Sequence, residues 1–213
     1  MNIFVTDENP LISAKHLDDR RVIKMILEAA QMMTSALVAH GVSAEDLQYK
    51  PTHKNHPCTV WTGESWVNFL WVREWARMMN EQYKRVSGKD HASFQAIREM
   101  PEFVNILPDV DQTPFRNCTS DCKHIKSITK AYRTQMCLKW ARDSFNPKPH
   151  LRPKWTYNEI PDFWIDHKDH FIHHVWANEK SELVQRYGEV FHSEHLEYCT
   201  QLVKGNENEE SDS

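Results

Sequence analysis

"RRVIKMILEAAQMM", residues 21–34, decides the reading of the fold. Val22, Met25, Ile26, Ala29 and Met33 return at steps of three and four residues, and Ala36 and Leu37 continue the series. One face of a helix is therefore apolar throughout. The spacing predicts a helix from about Asp18 to His40, with Gly41 as its stop. Over its first turns this helix carries Arg20, Arg21, Lys24 and Glu28. Arg20, Lys24 and Glu28 share one face, and Arg21 lies beside it. Two readings stand. The charges form a solvated ladder of ion pairs, worth only tenths of a kcal/mol each, or they border an anion site. Cations near a helix start oppose the macrodipole, and a bound phosphate would remove that conflict.

Working outward, a second helix is expected from about Thr62 to Val86, stopped by Gly88. Trp66, Phe69, Leu70, Val72, Trp75, Met79 and Tyr83 give it an aromatic face. The matching periodicities predict that the two helices pack through Met25, Ile26, Met33, Trp66 and Phe69. "NIFVT" (2–6) has no second strand-like run to pair with and reads as an extended arm. In "DENPLISAKHL", Asn9 caps a helix whose first residue is Pro10. A short helix follows Asp90 and stops before Pro101. "LPDVDQTPFRNCTSDC" is a loop, and Lys123 to Ser144 is a further helix. "NPKPHLRPKW" is a Pro-rich connector. Pro161 to about Val203 reads as one or two helices rich in His and Glu, and the acidic tail 205–213 as disordered. The expected fold is all-α: a compact multi-helix single domain over residues 1–155, a C-terminal helical extension over 156–204, and the tail.

Only five glycines in 213 residues argue against a Gly-rich phosphate loop or a turn-rich β fold. The formal charge of −4 is accounted for by Glu207, Glu209, Glu210 and Asp212, so any steering of an anionic partner must come from a local patch. The start of the chain lacks a basic region followed by an apolar run, and no stretch reads as a membrane span, so no membrane is expected. Cys58, Cys118, Cys122, Cys137 and Cys199 are odd in number and irregular in spacing. Free thiols in a reducing cytosol fit them better than a disulfide framework.

"THKNHPC" (52–58) brings His53, Lys54, Asn55, His56 and Cys58 into one Pro-braced loop. It serves as metal ligands, as donors to phosphate or a base, or as a structural loop. "CTSDCKH" offers Cys118, Cys122 and His124 as further ligands under the metal reading. None of these spacings matches a standard zinc pattern, so no metal and no cofactor is expected. Tyr132, Arg133, Lys139 and Trp140, followed by Arg152, Lys154 and Trp155, interleave cations with aromatics, as a clamp on nucleic-acid backbone would. Both tryptophans are more often core residues than stacking platforms. His167, His170, His173 and His174 read as a polar helix face.

Several of these stretches carry a resemblance. "MNIFVTDENP", "LDDRRVIKMILEAAQMMTSA", "YKPTHKNHPCTVW", "AYRTQMCLKW" and "LRPKW", in this order, resemble a family of small phage proteins that brings little assigned function with it. The chain from Tyr157 onward extends past the usual family length. Over short stretches the chain also resembles phage pyrimidine-dimer DNA glycosylases. These are all-α enzymes in which an Asp is followed nine residues later by the catalytic Glu. Asp19 and Glu28 match that spacing, with Arg20, Arg21 and Lys24 between them, and "RPKW" (152–155) is similar to a late element of those enzymes. Two positions depart from the pattern. The enzymes use the amine of a small residue exposed by Met removal, whereas Asn2 is too large for efficient removal. Leu27 stands where they carry a basic residue.

The resemblance implies a phage-encoded protein in the host cytoplasm that acts on DNA or nucleotides. Glu28 would assist glycosidic cleavage, and Lys24 or the Met1 amine would be the nucleophile. Arg20, Arg21, His53, Asn55, His56, Arg133, Lys139 and Arg152 would bind substrate and phosphate. The alternative is a non-catalytic phage protein that binds and inhibits a host defence or nucleic-acid enzyme, with the C-terminal extension as its partner surface.

Overall fold

Asn9 accepts a hydrogen bond from the N–H of Leu11, and Pro10 needs no donor partner at a first helical position, so α1 (Pro10–Lys15) starts where the sequence indicates. The computed structural model describes residues 2–187 and 193–204, so Met1 and the tail lie outside the described residues. Among the described residues no strand occurs, and the fold is all-α. "NIFVT" is an extended arm. Its Ile3 and Val5 are fully buried, so it belongs to the core.

The main helix, α2 (Asp19–Ala39), buries Val22, Met25, Ile26, Ala29, Met33, Ala36 and Leu37, the face that the spacing picks out. It is long and apolar enough to cross a membrane by length and composition, contrary to the sequence reading. Its apolar face packs on α3 (Pro57–Gly63), α4 (Trp66–Ser87) and α5 (Ala92–Glu99).

The single helix expected from Thr62 to Val86 is two. Pro57 starts α3 with the His56 side chain as its cap, and Ser65 caps α4 by accepting from the N–H of Asn68 at 3.0 Å. Gly63 lies against α2: a Cβ there would stand 3.0 Å from His40 Cε1 and 3.3 Å from Ala36 Cβ. Phe69 is buried as expected, but Trp66 is exposed, because its indole reaches out to donate to Asp109 at 2.8 Å. The core aromatics are instead Trp61, Trp71 and Trp75, with the half-buried Phe115 stacked on Trp61 at 4.9 Å.

The later helix, α6 (Ile128–Ser144), begins after the expected Lys123, because Ser127 supplies its first acceptor, to the N–H of Ala131. The helices α7 (Asp162–Ile165), α8 (Lys168–Tyr187) and α9 (Ser193–Lys204) complete the described chain. By its internal contacts the chain divides into two units. The first runs up to Arg133 and takes back Trp155–Glu159; the second holds Thr134–Lys154 and the chain from Ile160 onward. In the first unit, Asp19 accepts from the N–H groups of Thr156 (2.6 Å) and Tyr157 (3.3 Å), which fastens the returning segment to the start of α2. In the second, Trp140 is buried against Phe163 and Trp164, and Arg142 forms a two-pronged pair with Glu179.

Candidate functional site

Glu28 lies in the third turn of α2, with its side chain only 13 % exposed. One carboxylate oxygen accepts from the backbone N–H of Asn2 at 3.1 Å, and the other pairs with Lys24 at 3.3 Å. Lys24 itself is 71 % exposed, so the pair presents a solvated ammonium beside a mostly covered carboxylate.

Two turns further along α2, Ser35 holds the Pro-braced loop. Its hydroxyl donates to the carbonyl of Thr52 and accepts the N–H of the same residue, at 2.8 and 2.9 Å. That anchor ties the start of the loop to the helix. His53 adopts a left-handed φ of 47°, a conformation a non-glycine residue keeps only when its surroundings impose it. The turn it makes lets His56 N–H donate to the His53 carbonyl, and His56 Nδ1 then accepts from Cys58 N–H at 3.2 Å. Burial holds the His56 imidazole below its ordinary value, the neighbouring His53 adds to this, and the charge of Glu28 opposes it. Glu28 and the loop therefore sit within electrostatic reach of each other.

Asn2 links the parts. Its side-chain oxygen accepts from the N–H groups of Ile3 and Phe4, its amide donates to the Cys118 carbonyl at 3.3 Å, and Cys58 Sγ lies 4.0 Å from its Oδ1. His56, Cys58 and Cys118 offer one ligand atom each, all within 4.8 Å of one another. Cys58 hydrogen-bonds to Cys118, which keeps the proton on the buried Cys58 and draws the Cys118 thiol down to about 7. Tyr132 closes the inner side: its hydroxyl accepts from Cys118 N–H and donates to the Arg116 carbonyl.

Of the residues expected here, Glu28 pairs with Lys24, its charge reaches His56, and His56 is bonded to His53, while Asn55 is exposed on the same loop. Arg20 is exposed on α2. Arg21 pairs with the buried carboxylate of Asp18 at 2.7 Å, which offsets its charge at the helix start. Arg133 donates to the Thr6 carbonyl at 2.7 Å and pairs with Asp7, which makes it a clasp on the N-terminal arm. Lys139 and Arg152 belong to the second unit. There the Arg152 guanidinium lies 3.7 Å from the centre of the Tyr198 ring and donates to the Asn146 carbonyl. Sequence reasoning missed Asn2 and the role of Tyr132, and it set aside a shared site of Cys58 and Cys118 because the spacings match no zinc pattern. No spacing signals these contacts, because the residues lie on separate segments. No family model, curated protein or solved structure matches this chain.

Proposed function

We propose that the chain acts on DNA or nucleotides, as a glycosylase- or lyase-type enzyme whose carboxylate is Glu28. The observation that carries this reading is the placement of Glu28: largely shielded from water, fastened to the Asn2 N–H, and flanked by an exposed amine and an imidazole. A shielded carboxylate favours charge that develops on a sugar as its glycosidic bond breaks. Lys24 supplies the amine. Glu28 takes the ammonium proton, the free amine attacks the sugar C1′ as the glycosidic bond breaks, and the proton passes from Glu28 to the departing nucleobase; opening of the C1′–O4′ bond then leaves the imine that borohydride reduces. Arg20, Lys24 and the donors of the His53–His56 loop contact phosphate, and an extruded base stacks on that loop.

The test uses duplex DNA, ultraviolet-irradiated or carrying abasic sites, with undamaged duplex as control. Wild-type protein is expected to cleave the damaged strands and to form a borohydride-trapped covalent adduct that Lys24→Ala cannot form. Damaged strands left intact at stoichiometric protein would overturn the reading and leave binding of a host protein as the alternative.

A further inference from the structure

We propose that His56, Cys58 and Cys118 form a zinc site, with a water molecule as the fourth ligand. The inference goes beyond the DNA reading and does not rest on it. Spacing along the chain predicts no metal, but coordination depends on where donor atoms converge in space. One imidazole nitrogen and two sulfurs lie within 4.8 Å of one another, drawn from the Pro-braced loop, the first turn of α3 and the long loop before α6. Tetrahedral zinc with ordinary bond lengths sets such donors about 3.6–3.8 Å apart. The required contraction of about 1 Å is within what small side-chain rotations deliver.

Three arrangements bring two thiols side by side: packing, a disulfide and a metal. Packing has no use for a third donor at the same spot, and a disulfide has no role for an imidazole beside both sulfurs. A thiolate pair with one imidazole is a borderline-soft donor set that suits zinc. Two thiolates also neutralise the ion, so the fully buried Cys58 would carry no net buried charge. Cys118 and His56 are only half-buried, which leaves the outer side open to solvent. Three protein ligands with an open position is the arrangement of reactive zinc sites, whereas structural sites use four.

The His56 cap bond defines what binding changes. Its Nδ1 accepts from Cys58 N–H, so coordination through Nδ1 replaces that bond, and coordination through Nε2 puts the proton on Nδ1 and breaks it. In both cases zinc remodels the start of α3. Asn2 bridges this trio to Glu28, so a metal here would lie one residue away from that carboxylate.

The experiment takes full-length protein expressed in zinc-supplemented medium and purified under reductant. Its zinc content is measured, and cobalt titration of the metal-free protein follows the thiolate-to-cobalt charge-transfer band. Wild type, Glu28→Gln and the control Cys122→Ser are expected to hold close to one equivalent and to show the band. Cys118→Ser should lose it, and His56→Ala should bind cobalt at least about tenfold more weakly. Zinc should raise the thermal midpoint of wild type and leave that of Cys118→Ser unchanged. If Cys118→Ser fails to fold by circular dichroism, the half-exposed His56→Ala carries the test. The proposal is overturned if reduced wild type shows neither zinc nor the band, or if both ligand variants retain metal as wild type does. A Cys58–Cys118 disulfide in protein kept under reductant would equally overturn it.

Discussion

The backbone N–H of Asn2 donates to Oε2 of Glu28 across 3.1 Å, so the second residue of the chain is tied to the third turn of α2. Asn2 also reaches the Cys118 carbonyl and lies beside Cys58. One residue thereby holds the carboxylate of the long helix through its backbone and the two cysteine-bearing segments through its side chain. Asn2→Ala should keep the backbone bond to Glu28 but release Cys118. Removing a partly buried amide costs about 1 kcal/mol, which urea denaturation would measure, together with faster alkylation of Cys118. Unchanged stability and thiol reactivity would mean that Asn2 fastens nothing.

Asp19 is the residue whose spacing to Glu28 resembles a glycosylase pair, yet its carboxylate caps the Thr156 and Tyr157 N–H groups. Asp19→Ala is expected to cost about 1–3 kcal/mol of stability, because hydrogen bonds to a charged acceptor are lost. Any strand cleavage should survive. A selective loss of cleavage at unchanged stability would instead make Asp19 part of the chemistry.

Gly63→Ala probes the contact between α2 and α3. A methyl group gains about 1 kcal/mol in helix propensity. It would, however, meet His40 at 3.0 Å, and that ring is held by a 2.9 Å bond to the Ala36 carbonyl. Overpacking costs about 1–3 kcal/mol, so net destabilisation near 1 kcal/mol is expected, and more for Gly63→Val. A thermal midpoint at or above that of wild type would show that the helices separate freely at this point.

His91 caps α5 by accepting from Ser93 N–H at 3.2 Å, and burial holds its imidazole below the ordinary 6.5. The neutral ring is the folded form. Between the lowered folded value and 6.5 the unfolded chain binds more protons, so stability rises with pH across that window and falls as pH drops through it. His91→Asn keeps a capping acceptor and does not titrate. Its denaturation midpoint should show a shallower decline than wild type as pH falls below 6.5; identical slopes would remove His91 as a source.

How much of this was legible in the sequence follows from what each feature depends on. The buried face of α2 and the caps at Asn9 and Gly88 depend on residues within a few positions of each other, and there the periodicity and the end signals agree with the structure. The break between α3 and α4 was missed, because the apolar series runs on past Ser65 while a local cap interrupts the helix. Arg21 and Arg133 read as phosphate ligands because composition marks them as cations, but not that Asp18 and the Thr6 carbonyl already engage them. The meeting of Cys58 with Cys118 depends on the path of a long loop that has no periodicity to read.

Glu28→Gln touches the chemical step alone, whereas Lys24→Ala removes both the amine nucleophile and a cation at the DNA surface. Lys24→Ala removes a phosphate contact, so duplex affinity should fall and its salt dependence flatten by about one ion. Its exposed pair with Glu28 contributes at most about 1 kcal/mol, so the fold should be kept. A variant with full affinity and an unchanged salt slope would place Lys24 outside the interface.

The central claim, that Glu28 is the working carboxylate of a DNA-directed site, is met most directly by single-turnover cleavage of damaged duplex with wild type and Glu28→Gln. Affinity for the same duplex is measured on the same samples. The amide keeps an acceptor for the Asn2 N–H and removes only the charge, so folding and affinity should stay near wild type while the rate falls by at least about a hundredfold. Equal rates for the two proteins at equal affinity would contradict the claim.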